Sequence, residues 1–140
     1  MRLLHSLLTG LLVLLAVLLP NAEAIAGRDE IVDPGPVSIP AGLSQEQVEK
    51  DIRRALIGRG WTVAEAEPGQ MRAELHLRDH VAIISVAYNA SDVRLSYVDS
   101  HNLDYKEKKG KRYIHSNYLG WIGFLVQDLN TNFRITAAGG

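Results

Sequence analysis

Cysteine is absent from the 140 residues. That excludes disulfides, thiolate metal centres, a Cys nucleophile and acylation at Cys. Charge of one sign is not in excess either: 15 Lys and Arg stand against 16 Asp and Glu, and charged residues make 22% of the chain. This balance argues against a disordered polyelectrolyte, a collagen-like repeat or a bulk basic coat for nucleic acid. No internal repeat is visible. No His-x-x-x-His or His-x-His pair offers zinc-ligand spacing, and no Gly-x-Ser-x-Gly elbow offers a hydrolase nucleophile. What is present is a hydrophobic share of 46%, ordinary for a globular domain of this length.

The beginning of the chain carries its own pattern. Arg2 and His5 give a short basic start, and Leu7 to Leu19 is apolar except for Thr9 and Gly10. Pro20 and Asn21 follow, then Ala22-Glu23-Ala24 and Ala24-Ile25-Ala26. A charged start, an apolar middle and an A-x-A ending describe a secretory signal peptide. The apolar run falls short of the ~20 residues that span a bilayer. Cleavage is expected after Ala24, with Ala26 as the alternative, leaving a periplasmic or secreted protein. Without a Cys to acylate, lipid anchoring is not expected. The expected organisation is a signal peptide over 1–24, an extended lead-in over 25–42, an α+β domain over 43–134 and a flexible tail over 135–140.

Pro34, Pro36 and Pro40 mark the lead-in, with an edge strand expected at Val37-Ser38-Ile39. Ser44 with Gln47 forms a capping box, and Val48, Ile52, Ala55 and Leu56 follow a helical period until Gly58 and Gly60 end it. Period two then takes over. Strands are expected over Trp61 to Ala66, Met71 to Arg78, Val81 to Tyr88 and Val93 to Tyr97. Pro68-Gly69, Asp79-His80 and Asn89 to Asp92 are the expected turns. The third strand is apolar on both faces except Ser85, as a central strand would be. Ser100 to Tyr113 reads as a polar loop. A last helix is expected from about Ser116 to Phe133, with Tyr118, Trp121, Ile122, Leu125, Val126, Leu129 and Phe133 as its apolar stripe. The fold class is α+β: a two-layer sandwich with a four-stranded antiparallel meander and both helices on one face.

Several residues qualify for chemistry. Lys106, Lys108, Lys109, Lys111 and Arg112 form a short basic segment suited to a weak contact with an anion or a membrane surface. Four histidines follow the leader: His76, His80, His101 and His115. Their spacing does not predict a metal site, and nothing in the sequence asks for a cofactor. Asp99-Ser100-His101 has the residue types of a hydrolase, but sequence neighbours rarely converge in space; Asp99 and Ser100 are expected to bond loop backbone instead. Ser116 or Asn117 suits the N-cap of the last helix. Tyr88, Tyr97, Tyr105, Tyr113, Tyr118 and Trp121 are expected to gather near the last strands and helix, with rings packed and hydroxyls bonding the loop.

These same residues resemble a family of small bacterial envelope proteins. The resemblance is carried by Leu43 to Gln47, Gly60-Trp61, Pro68-Gly69, Arg78-Asp79-His80, Val86-Ala87-Tyr88, Ser96-Tyr97-Val98-Asp99-Ser100 with Asn102-Leu103 and Tyr105, and Ile114-His115-Ser116-Asn117-Tyr118 with Trp121. It spans about residues 43 to 130. It implies export and a small α+β domain, and it carries over no catalytic residue. The chain departs from lipid-anchored members by lacking their Cys, and its Lys106 to Arg112 segment is longer and more basic.

The functional expectation is a non-enzymatic periplasmic module that binds an envelope protein or a ligand, with no nucleic-acid partner. Its candidate binding residues are Arg78, His80, Tyr97, Asp99, Ser100, Asn102, Tyr105, His115, Asn117, Tyr118 and Trp121. The alternatives are a small envelope hydrolase using His80, His101 or His115 as base, and a purely structural domain.

Overall fold

A computed structural model describes residues 27–140. The expected signal peptide and its cleavage after Ala24 or Ala26 lie outside the described residues. In chain order the elements are β1 (Arg28–Glu30), β2 (Val37–Ser38), α1 (Gln45–Gly58), β3 (Trp61–Glu67), β4 (Gln70–Leu77), β5 (His80–Tyr88), β6 (Asp92–His101), β7 (Lys106–Lys108), β8 (Lys111–His115) and α2 (Asn117–Ala137). The fold is α+β, with two helices and two antiparallel sheets. One sheet has five strands in the order β2-β6-β5-β4-β3, and the other has three in the order β1-β8-β7.

Local chemistry accounts for most of these elements. The Gln47 N–H donates to Ser44 Oγ at 3.1 Å, and the Ser44 N–H donates to Gln47 Oε1 at 2.9 Å. Two of the four donors that a helix start leaves open are thereby satisfied. Val48, Ile52, Ala55 and Leu56 then fall on the buried face of α1. At the β3–β4 turn Gly69 takes φ +84°, and a Cβ there would come within 3.3 Å of the Tyr88 carbonyl, so glycine is needed twice over. Met71, Ala73 and Leu75 of β4 and Ala82, Ile84, Val86 and Tyr88 of β5 point into the core on alternate positions. The carboxamide oxygen of Asn89 accepts from the N–H groups of Ser91 and Asp92 at 2.7 and 2.9 Å and turns the chain into β6. Side chains of both helices and of β5 and β6 (Ile52, Ala55, Leu56, Val86, Leu95, Leu125 and Leu129) surround one small interior space. Each of the Ile, Leu and Val side chains among them stabilises the fold by about 1.5–3 kcal/mol on burial.

Three expectations need correction. The segment 100–113 is not a loop. β6 continues to His101, and β7 and β8 form a hairpin whose two turn residues, Lys109 and Gly110, have φ +52° and +75°. Positive φ at both positions is the type I′ geometry that matches strand twist. The hairpin pairs with β1, so a single four-stranded sheet becomes two sheets of three and five strands. The turn expected at Asp79-His80 lies one residue earlier, at Arg78-Asp79, because Leu77 pairs with His80. The last helix runs past Phe133 to Ala137, into the segment expected as a tail. The edge strand expected near Val37 is present as β2, paired to β6.

Candidate functional site

The register places the end of the five-stranded sheet beneath the start of α2. Leu77 and His80 close the β4–β5 hairpin on the side that faces the helices, since they continue the buried alternations of Leu75 and Ala82. The next strand ends beside them. His80 Nδ1 donates to the Asn102 carbonyl at 2.6 Å, and the Leu103 carbonyl accepts the His115 N–H at 2.8 Å. Two successive carbonyls thus anchor the two histidines, one by its ring and the other by its main chain. Asn102 has φ +54°, a left-handed conformation that asparagine tolerates better than most residues.

A cavity of about 290 Å³ opens there, lined by Leu77, Arg78, His80, Leu103, His115, Asn117 and Trp121. Arg78 sits at the turn with φ +57°, a conformation costly for a residue with a Cβ. Among the described residues its guanidinium makes no hydrogen bond or ion pair. The two imidazoles are held in opposite tautomers. A ring nitrogen that faces a carbonyl must carry the proton, so neutral His80 keeps its lone pair on Nε2. His115 Nδ1 accepts the Asn117 N–H at 3.2 Å, so neutral His115 carries its proton on Nε2. The cavity therefore combines one guanidinium, one imidazole acceptor, one imidazole donor, a carboxamide and an indole over apolar Leu77 and Leu103.

Five of the eleven residues singled out from sequence meet in this cavity: Arg78, His80, His115, Asn117 and Trp121. Asn102 takes part through its carbonyl. Tyr97, Ser100, Tyr105 and Tyr118 make a different group. Tyr97 and Tyr105 stack at 5.5 Å, Tyr118 meets Tyr97 edge-on at 5.7 Å, and the Tyr97 and Ser100 hydroxyls are 2.7 Å apart. Arg112 lies 5.5 Å over the Tyr97 ring. This cluster ties β6, the β7 hairpin and α2 together. Burial raises the Tyr97 and Tyr118 hydroxyls above the usual tyrosine range.

Comparisons with protein-family models, curated proteins and solved structures find no match. Asp99 and His101 pair with Ile83 and Val81, so they project from the sheet face that turns away from the helices. They do not line the cavity. Asp99 Oδ1 accepts from the Ser100 N–H at 2.8 Å within β6, and the Ser100 hydroxyl meets the Tyr97 hydroxyl, so neither side chain bonds loop backbone as expected. Ser116 caps α2 by position alone: its hydroxyl donates to the Gly27 carbonyl at 3.0 Å, and His115 accepts the helix N–H instead. Tyr88 is also placed elsewhere. It donates to Glu49 Oε1 at 2.8 Å beside α1, away from the other tyrosines. Leu77 and Leu103 were missed as site residues. Leu77 ends an alternating strand like any core position, and only the cross-strand register reveals that it flanks the cavity.

Among the described residues no group of three or more His, Asp or Glu is placed to hold a metal ion. No described helix is long and apolar enough to cross a membrane.

Proposed function

We propose that the chain is an exported envelope protein that acts by binding, and that it holds a small anionic ligand in the cavity between the Arg78-Asp79 turn and the start of α2. One observation carries this reading. Two stretches distant in sequence bring Arg78 and His80, and His115 and Asn117, to one concavity, and among the described residues the guanidinium there makes no hydrogen bond or ion pair. A charge-assisted, two-pronged contact from arginine is the strongest single interaction a carboxylate or phosphate can find on such a surface. Among the described residues the lining offers no hydroxyl, thiol or carboxylate side chain as a nucleophile, and leaves only its two imidazoles for that role. The leader supports export. The shared core of both helices with β5 and β6 supports a two-layer sandwich as the scaffold. Lys108, Lys109 and Lys111 at the β7–β8 tip would add a weak contact with an anionic surface.

Calorimetric titration of the mature protein with acetate, phosphate and sulfate tests the reading. At least one anion should bind, and Arg78→Gln should weaken it about tenfold or more. Unchanged affinity in that variant would rule out this cavity as the site. A second reading follows from His80, whose Nε2 carries the lone pair of the neutral ring and lies 3.8 Å from Asp79 Oδ1. It predicts hydrolysis of activated esters that His80→Gln abolishes; a rate equal to buffer alone would end it.

A further inference from the structure

The Arg78 cavity does not stand alone. A smaller one, of about 120 Å³, adjoins it and is lined by Arg59, Trp61, Leu75, Leu77, Trp121 and Phe124. Leu77 and Trp121 belong to both linings. Along α2 the residues Asn117, Trp121 and Phe124 are spaced i, i+4 and i+7, which puts them on one stripe of the helix. That stripe covers about 10 Å of helix rise. Leu77 and Phe124 are exposed to 45% and 48%, so the strip carries apolar surface that the described residues leave open.

The two ends of this groove differ in charge. At the far end Arg59 is already engaged. It donates to both Asp128 carboxylate oxygens, at 2.7 and 2.9 Å, and its guanidinium lies 4.6 Å over the Phe124 ring. At the near end Arg78 makes no ion pair among the described residues. A ligand that matches the groove therefore has one anionic end and one apolar end.

We propose that the ligand is an amphipathic carboxylate, with its head at Arg78 and Asn117 and its hydrocarbon chain lying between Leu77 and the Trp121–Phe124 stripe. This deepens the binding reading and rests on it. A saturated chain of about eight carbons covers the length of the stripe. Each methylene taken out of water strengthens binding by up to about fourfold, so chain length and charge contribute separately and can be measured separately.

The experiment titrates the mature protein with acetate, butyrate, octanoate, octanol and vesicles of phosphatidylglycerol, read by calorimetry and by tryptophan fluorescence. Octanoate should bind at least about thirtyfold more tightly than acetate, below the roughly few-thousandfold ceiling for six fully buried methylenes, and at least about tenfold more tightly than octanol. Arg78→Gln should weaken octanoate and leave octanol unchanged. Phe124→Ser, at an exposed position that a far-ultraviolet circular dichroism spectrum can confirm as folded, should weaken octanoate and leave acetate unchanged. Equal affinity for acetate and octanoate would overturn the amphipathic ligand while leaving the anion site standing. Binding to vesicles without binding to octanoate would overturn it in favour of a membrane surface. No binding of any anion would overturn this proposal together with the reading beneath it.

Discussion

Arg78 lies at the rim of the proposed anion site and in a tight turn of the fold. It occupies the first position of a two-residue hairpin turn with φ +57°, where Gly or Asn is the relaxed choice. A left-handed residue with a Cβ costs on the order of 1–2 kcal/mol. Nothing in the fold repays that cost, since among the described residues the side chain makes no ion pair or hydrogen bond. Strain without a structural partner, at the rim of a cavity, is what a ligand-contacting residue would show. The substitution Arg78→Asn separates the two roles. Urea unfolding should report unchanged or greater stability, with a gain of up to about 1 kcal/mol, while anion affinity falls. A loss of more than about 1 kcal/mol would mean that the guanidinium holds the fold.

At the scale of elements, α2 is the piece that joins the two sheets and forms one wall of the groove. Its buried stripe runs through Tyr118, Ile122, Leu125, Leu129 and Phe133. Tyr118 is 2% exposed, and burial raises its hydroxyl above the usual tyrosine range. Stability from a raised group is fully present below the unfolded value, near pH 10, and is lost as pH climbs from there toward the higher folded value. Thermal melts should therefore show wild type weakening above about pH 10, with Tyr118→Phe weakening less steeply, because Tyr97 still titrates there, and matching wild type near neutrality. Parallel decline of both proteins would assign the alkaline loss to another group. This helix was legible in the sequence because its apolar stripe keeps a strict period. So were α1, from its capping box, and the core-facing residues of β4 and β5, from alternation. The β7–β8 hairpin was not: Lys106 to Arg112 is too polar to show a buried face, and its turn signal is a single Gly110 after a lysine. The site was half legible. Arg78, His80, His115, Asn117 and Trp121 were singled out by residue type, but their meeting depends on the register of Leu77 with His80 and on two carbonyls of the 102–103 segment, which no local pattern encodes.

For the molecule as a whole, the two helices must hold their relative position for the groove to keep its shape. Two polar ties cross between them. Asn132 Nδ2 donates to the Asp51 carbonyl at 3.1 Å, and Arg59, just past the end of α1, grips Asp128 of α2 with two hydrogen bonds. Those bonds hold the Asp128 carboxyl below the usual aspartate range and raise the guanidinium. A carboxyl depressed in the folded state contributes stability above its unfolded value, near pH 3.9, and the contribution fades as pH falls through the lower folded value. The gap in melting temperature between wild type and Asp128→Asn should stay constant from neutrality to about pH 5 and close as the carboxyl protonates below about pH 4. It should also shrink in high salt, since the pair is partly exposed. A gap that persists unchanged to pH 2 would show that the tie works through shape rather than charge. The same substitution leaves Arg59 without its counter-ion beside Phe124, so the groove would then be cationic at both ends. A chain carrying carboxylates at both ends should gain affinity in that variant relative to octanoate, and a fixed ratio between the two ligands would show that the far end of the groove does not meet the bound chain.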